Sequence, residues 1–235
     1  MDQSDVTALL VNEQTDRLMT TAASLSDEDV RGPSLCEGWS RGHVLSHLAR
    51  NADGIARAAR AATQGSGETM YAGQAERDAE IEEGARRSAR ELVDDVRHSA
   101  AELAPLLSEV HPHELKDVTF ERTPGGQRVY AARLPFMRLR EVVIHHIDLD
   151  AGFGFEDIGD EAVSELFLRD AAKQLNAAHD APGLTIETTE GDHLVVGDGA
   201  TTVKGPRAGM LRWLLRQDAR DVTADGELPE LPKGF

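Results

Sequence analysis

The chain has 235 residues, 40% of them hydrophobic, enough for one large domain or two small ones with a packed core. Its 25 Lys and Arg face 42 Asp and Glu, a formal charge of −17, which argues against nucleic acid and anionic membrane as partners because both would be repelled. No apolar run is long enough to predict a membrane span, the opening MDQSDVTALLVNEQ has no signal-peptide pattern, and the single Cys36 excludes an internal disulfide; together these point to the cytoplasm.

In chain order, Asp5 to about Leu25 predicts an amphipathic helix capped by Ser4 or Asp5, with Val6, Leu9, Leu10, Leu18 and Met19 at helical spacing. A connection follows through Gly32-Pro33 to Gly38. Ser40 is a credible N-cap for a second helix over Gly42–Thr63, which Gly65-Ser-Gly67 ends. A charged third helix is expected from about Gln74, bent near Gly84 and stopping before His111-Pro112. Val118–Tyr130 reads either as a short hairpin or as an extended crossover. Leu134-Pro135 opens a fourth helix that ends near Gly152.

Four helices with a longer link before the last suggest a four-helix bundle, a fold that places metal ligands on facing helices. After Gly159 the pattern changes. A helix is expected over Asp160–Ala178, then short strands at Leu184–Thr189, His193–Val196 and Thr201–Lys204 separated by glycines. A helix over Pro206–Arg216, a last strand at Val222-Thr223 and the Pro-rich tail ELPELPKGF complete the chain. The fold class is therefore α+β, with a helical bundle over residues 1–154 and a small α/β domain over 155–235. No P-loop or dinucleotide fingerprint is present, and Gly197-Asp-Gly199 reads as a hairpin turn.

The chemistry concentrates in REVVIHHIDLD, residues 140–150. Glu141, His145 and Asp148 fall at i, i+4 and i+7, which stacks them on one helix face. A carboxylate and an imidazole one turn apart suit one divalent metal, and His47 on the second helix suits a third ligand. Three protein ligands leave a coordination position for water or substrate, as in catalytic sites. Zinc suits two imidazoles and a carboxylate, and iron or another transition metal also fits. Two rivals stay open: His43, one turn before His47 but close to the helix start, and His146, rotated about 100° from His145. Asp148 reads as a general acid/base or an orienting group, against the plainer reading of a solvent-facing residue near a helix end. Cys36 has no base beside it in the sequence and reads as a lone buried thiol.

Three blocks, EGWSRGHVLSHLARNADG, GETMYAGQAERDAEIEEGA and REVVIHHIDLDAG, resemble the mycothiol-dependent maleylpyruvate isomerase family within the wider DinB-like metal-binding bundles, and the likeness extends to the closing TADGELPELP. The resemblance implies a DinB-like bundle and a C-terminal α/β domain. It implies zinc held by His47, Glu141 and His145, a catalytic role for Asp148, and Arg77 near the thiol or substrate site. It also implies mycothiol as thiol cosubstrate and conversion of maleylpyruvate to fumarylpyruvate by thiolate addition, bond rotation and elimination. The expected partners are a small thiol and a small electrophilic or dicarboxylate substrate, in a monomer or weak homodimer.

One departure stands out. The family pattern implies an arginine ending the C-terminal helix, and here an ungapped match puts Gln217 there, between Arg216 and Arg220. Arg216 is the expected replacement, with Arg220 the alternative. The alternative function is a mycothiol S-transferase that stops after addition, and a third is a non-catalytic small-molecule-binding bundle.

Overall fold

The computed structural model describes residues 1–232; Lys233, Gly234 and Phe235, the end of the expected Pro-rich tail, lie outside the described residues. The chain divides into two compact units, residues 2–153 and residues 154 onward.

The first unit contains α1 (Ala8–Ala22), α2 (Asp27–Arg31), α3 (Arg41–Gln64), α4 (Gln74–Gly84), α5 (Ala89–Ser108), a hairpin of β1 (Thr119–Glu121) and β2 (Arg128–Tyr130), and α6 (Leu134–Asp148). The four long helices pack in a ring: α1 touches α5 and α6, and α3 touches the same two. Leu18, Val44, Leu45, Leu48, Leu92, Val96 and Val142 fill its centre and are fully buried. Burying one such side chain stabilises by about 1.5–3 kcal/mol.

The local signals explain most boundaries. Ser40 caps α3 by accepting the His43 backbone N–H, and Gly65 ends it in the left-handed region. Several expectations are corrected. The first helix starts at Ala8, because Thr7 accepts the Leu10 N–H and the preceding residues form a separate 3-10 turn capped by Asp2. The connection after it contains the short α2, made by the reciprocal Ser26–Asp29 capping box. The charged helix is broken rather than bent: α4 ends at Gly84, and Ser88 with Glu91 forms a new capping box that starts α5. Gly84 lies where α4 presses on α3, and a Cβ there would run into the Ser46 side chain.

Residues 119–130 form the hairpin, with Phe120 opposite Val129. Pro135 sits in the first turn of α6, where its missing N–H costs nothing. That helix stops at Asp148, earlier than expected, where Arg41 donates from Nε to the Leu149 carbonyl (2.5 Å) and from Nη2 to the Asp150 carbonyl (3.0 Å).

The second unit contains a 3-10 turn, α7 (Glu161–Ala177), β3 (Leu184–Thr188), β4 (His193–Val196), β5 (Thr201–Gly205), α8 (Arg207–Arg216) and β6 (Thr223–Ala224). The sheet order is β4-β3-β5-β6, with β3 and β5 parallel and the other pairs antiparallel. The last strand is shifted by one residue from its expected position. Leu184, Ile186 and Val203 are fully buried. Arg207 is 5% exposed and reaches both Asp192 oxygens, at 2.7 and 3.1 Å, a bidentate pair that ties α8 to the loop before β4.

Candidate metal centre

In the first unit α3 and α6 face one another, and each contributes imidazole to the same place. His47 Nε2 lies 2.7 Å from Glu141 Oε2, and His145 Nε2 lies 3.4 Å from that same oxygen. The two imidazole rings meet edge to face with centroids 4.6 Å apart. One donor atom from each of the three residues lies within 4.8 Å of the others. Glu141 and His145 share a face because they are one turn apart on α6.

Two imidazoles and a carboxylate are the donor set that zinc and similar divalent metals accept, so the residues fit such an ion. His47 is 4% exposed, whereas the Glu141 and His145 side chains keep 26% and 19% of their surface, which leaves access from solvent.

The surroundings tune these groups. Burial pushes the Glu141 carboxyl up, but hydrogen bonds from His145 and His47 and their charge outweigh it and hold the group well below its ordinary value. Burial pushes His145 down, and its bonds to Asp148, Cys36 and Glu141 outweigh that and hold it well above the usual histidine range. For His47 burial wins, and its value falls.

Asp148 is fully buried, not solvent-facing, and its Oδ2 lies 2.8 Å from His145 Nδ1. A carboxylate on the second nitrogen of a ligating imidazole fixes the ring and its tautomer. Arg77 on α4 places Nη2 3.1 Å from His47 Nδ1, donates from Nη1 to Asp78 at 2.9 Å, and lies 5.5 Å above the Tyr71 ring. A cavity of about 300 Å³ adjoins it, lined by Arg57, Tyr71 and Arg77 and also by the carboxylates Glu68, Glu76 and Glu80.

The two rival histidines are engaged elsewhere. His43 pairs with Ser40 Oγ (2.8 Å) and Glu82 (3.0 Å). His146 reaches Thr21 Oγ1 at 2.7 Å and stacks on Phe153 with centroids 3.8 Å apart. Arg216 ends α8 in the second unit, and Gln217 follows as its left-handed C-cap. Arg220 pairs with Asp218 through Nε at 3.0 Å.

Sequence reasoning missed two neighbours. Cys36, read as a thiol without a base, has its Sγ 3.3 Å from Asp148 Oδ2 and 4.0 Å from His145 Nδ1, and is half-buried. Those partners are 112 and 109 residues away, beyond any local spacing rule. Arg138, 1% exposed, donates from Nη1 to the Leu48 carbonyl (2.9 Å) and to Asn51 Oδ1 (2.8 Å). A signal existed: Arg138 is three residues before Glu141 and Asn51 four after His47, so they form the next rung between the same helices.

Among the described residues, no helix is long and apolar enough to cross a membrane. Comparison with known proteins matches residues 11–150 to the model of the mycothiol maleylpyruvate isomerase N-terminal domain. Crystal structures of the mycothiol-dependent maleylpyruvate isomerase and of a histidine-to-alanine mutant of it are each 24% identical to this chain. Each comparison covers 99% of both chains, with a TM-score of 0.85. That likeness supports the fold. No curated protein sequence matches significantly. Because the matched domain spans more than half the chain, the chain belongs to the mycothiol maleylpyruvate isomerase family.

Proposed function

We propose that this chain is a zinc- and mycothiol-dependent isomerase that converts maleylpyruvate to fumarylpyruvate, with His47, Glu141 and His145 as the metal ligands. The observation that carries the reading is the convergence of those three side chains inside the family-matched domain. Zinc, or another divalent transition metal, would lower the pKa of a thiol and present it as thiolate at neutral pH.

The reaction needs no net consumption of thiol. Mycothiol thiolate forms an S–C bond to one carbon of the cis double bond, and the π pair moves onto the conjugated carbonyl as an enolate. The former double bond is now single and rotates. The enolate then re-forms the double bond as the thiolate leaves, and the trans isomer results.

The residues of this chain serve that sequence by position and charge. Asp148 holds the Nδ1 proton of His145 and keeps its other nitrogen aimed at Glu141. Arg77 supplies a cation beside His47, suited to a substrate carboxylate or to the developing enolate. Arg216 is the substrate-binding candidate that the family pattern offers in the second unit.

The test is incubation with mycothiol and maleylpyruvate. The reading expects fumarylpyruvate with constant total thiol. Thiol loss in step with a model electrophile, and no isomerisation, would move the assignment to a mycothiol S-transferase. That second reading rests on Gln217, which stands where the family pattern implies the C-terminal arginine. A transferase needs the activated thiol but no clamp for a dicarboxylate.

A further inference from the structure

We propose that Cys36 is a positioning residue of the metal centre, acting through Asp148 on His145 by donating its S–H to the carboxylate. The inference rests on the assignment of His47, Glu141 and His145 as metal ligands.

Cys36 lies in the turn between α2 and α3. Pro33 and Ser40 pair as an isolated antiparallel bridge, and Ser34 donates its N–H to the Trp39 carbonyl at 3.0 Å. Inside that loop Trp39 donates its N–H to the Cys36 carbonyl at 3.0 Å, and Gly38 takes φ of +78°, a conformation glycine adopts without strain. Ser34 Oγ accepts the Cys36 N–H at 3.2 Å. The Cys36 backbone is therefore tied on both sides, which aims its side chain.

The loop is also tied to the helix end it faces. Leu35 donates its N–H to the Asp148 backbone carbonyl at 2.9 Å, so both the main chain and the side chain of Asp148 receive a bond from consecutive residues. Asp148 Oδ2 thus takes two donors, the His145 Nδ1–H at 2.8 Å and the Cys36 thiol at 3.3 Å. In a fully buried carboxylate each lost donor is felt, because no water replaces it. The same turn places Trp39 against the other imidazole, with the indole centroid 5.5 Å from that of His47. One short turn therefore braces both histidines, one by packing and one by hydrogen bonding through Asp148.

Zinc affinity separates this role from a purely structural one. The measurement is competition against a chromophoric chelator for wild type, Cys36→Ala and Cys36→Ser, with thermal melting of each protein after zinc removal. Cys36→Ala is expected to weaken zinc binding by about tenfold, within the range for groups that orient a ligand. Cys36→Ser, whose hydroxyl still donates, is expected to stay within about threefold of wild type, and the zinc-free melting temperatures are expected to lie close together. Equal affinity in wild type and Cys36→Ala would overturn the proposal. So would a serine variant as weak as the alanine one. A wild-type protein that binds no zinc would instead overturn the ligand assignment beneath it, and the proposal with it.

Discussion

His47 Nε2 and Glu141 Oε2 lie 2.7 Å apart although 94 residues separate them in the chain. That contact joins α3 to α6, and the imidazole is 5% exposed while the carboxylate keeps 26% of its surface. Such a pair is costly unless each satisfies the other or both bind a cation.

The carboxylate behind the site gives a first prediction. Asp148→Asn keeps the shape but removes the charge that holds the His145 Nδ1 proton. Zinc affinity is expected to fall about 10- to 100-fold, measured by chelator competition. An unchanged constant would reduce Asp148 to a packing residue.

The pH dependence follows from His145, whose bonds to Asp148, Cys36 and Glu141 overcome burial and raise it well above its ordinary value. A metal takes only the neutral imidazole, so its binding displaces a proton. Zinc affinity is therefore expected to rise between pH 6 and 8, by up to about tenfold per unit for each proton displaced. In protein stripped of metal the trend reverses. The raised His145 contributes stability that is full below its unfolded pKa of about 6.5 and is lost as pH rises through its folded value. Flat affinity over that range would contradict the assignment of His145 as a ligand.

Arg138 gives a prediction about the scaffold. Burial lowers it to about 10, so it remains charged at neutral pH. Arg138→Met fills similar space but takes the donor from Asn51 and the cation from beside Glu141. A loss of about 1–3 kcal/mol is expected in chemical denaturation. A variant as stable as wild type would show that the rung is dispensable.

Substrate binding tests the second unit. If Arg216 clamps a carboxylate, Arg216→Ala raises KM for maleylpyruvate more than it lowers kcat. An unchanged KM removes Arg216 from the binding account and strengthens the transferase reading.

Local physics made the helices and part of the site legible. Glu141 and His145 announce themselves because one turn of helix brings them together, and Ser40 and Gly65 mark the ends of α3 by their own chemistry. The break before α5 was written in the sequence as Ser88 with Glu91 three residues on, yet charged residues on both sides masked it. Cys36 against Asp148 was not legible, because tertiary packing alone joins residues so far apart in the chain, and the Arg138–Asn51 rung was marked only by its offsets from Glu141 and His47.

Metal analysis of protein purified without added zinc reads out the proposed ligand set. About one ion per wild-type chain is expected, with clear loss in His47→Ala, Glu141→Ala and His145→Ala. Full metal content in all three variants would contradict it.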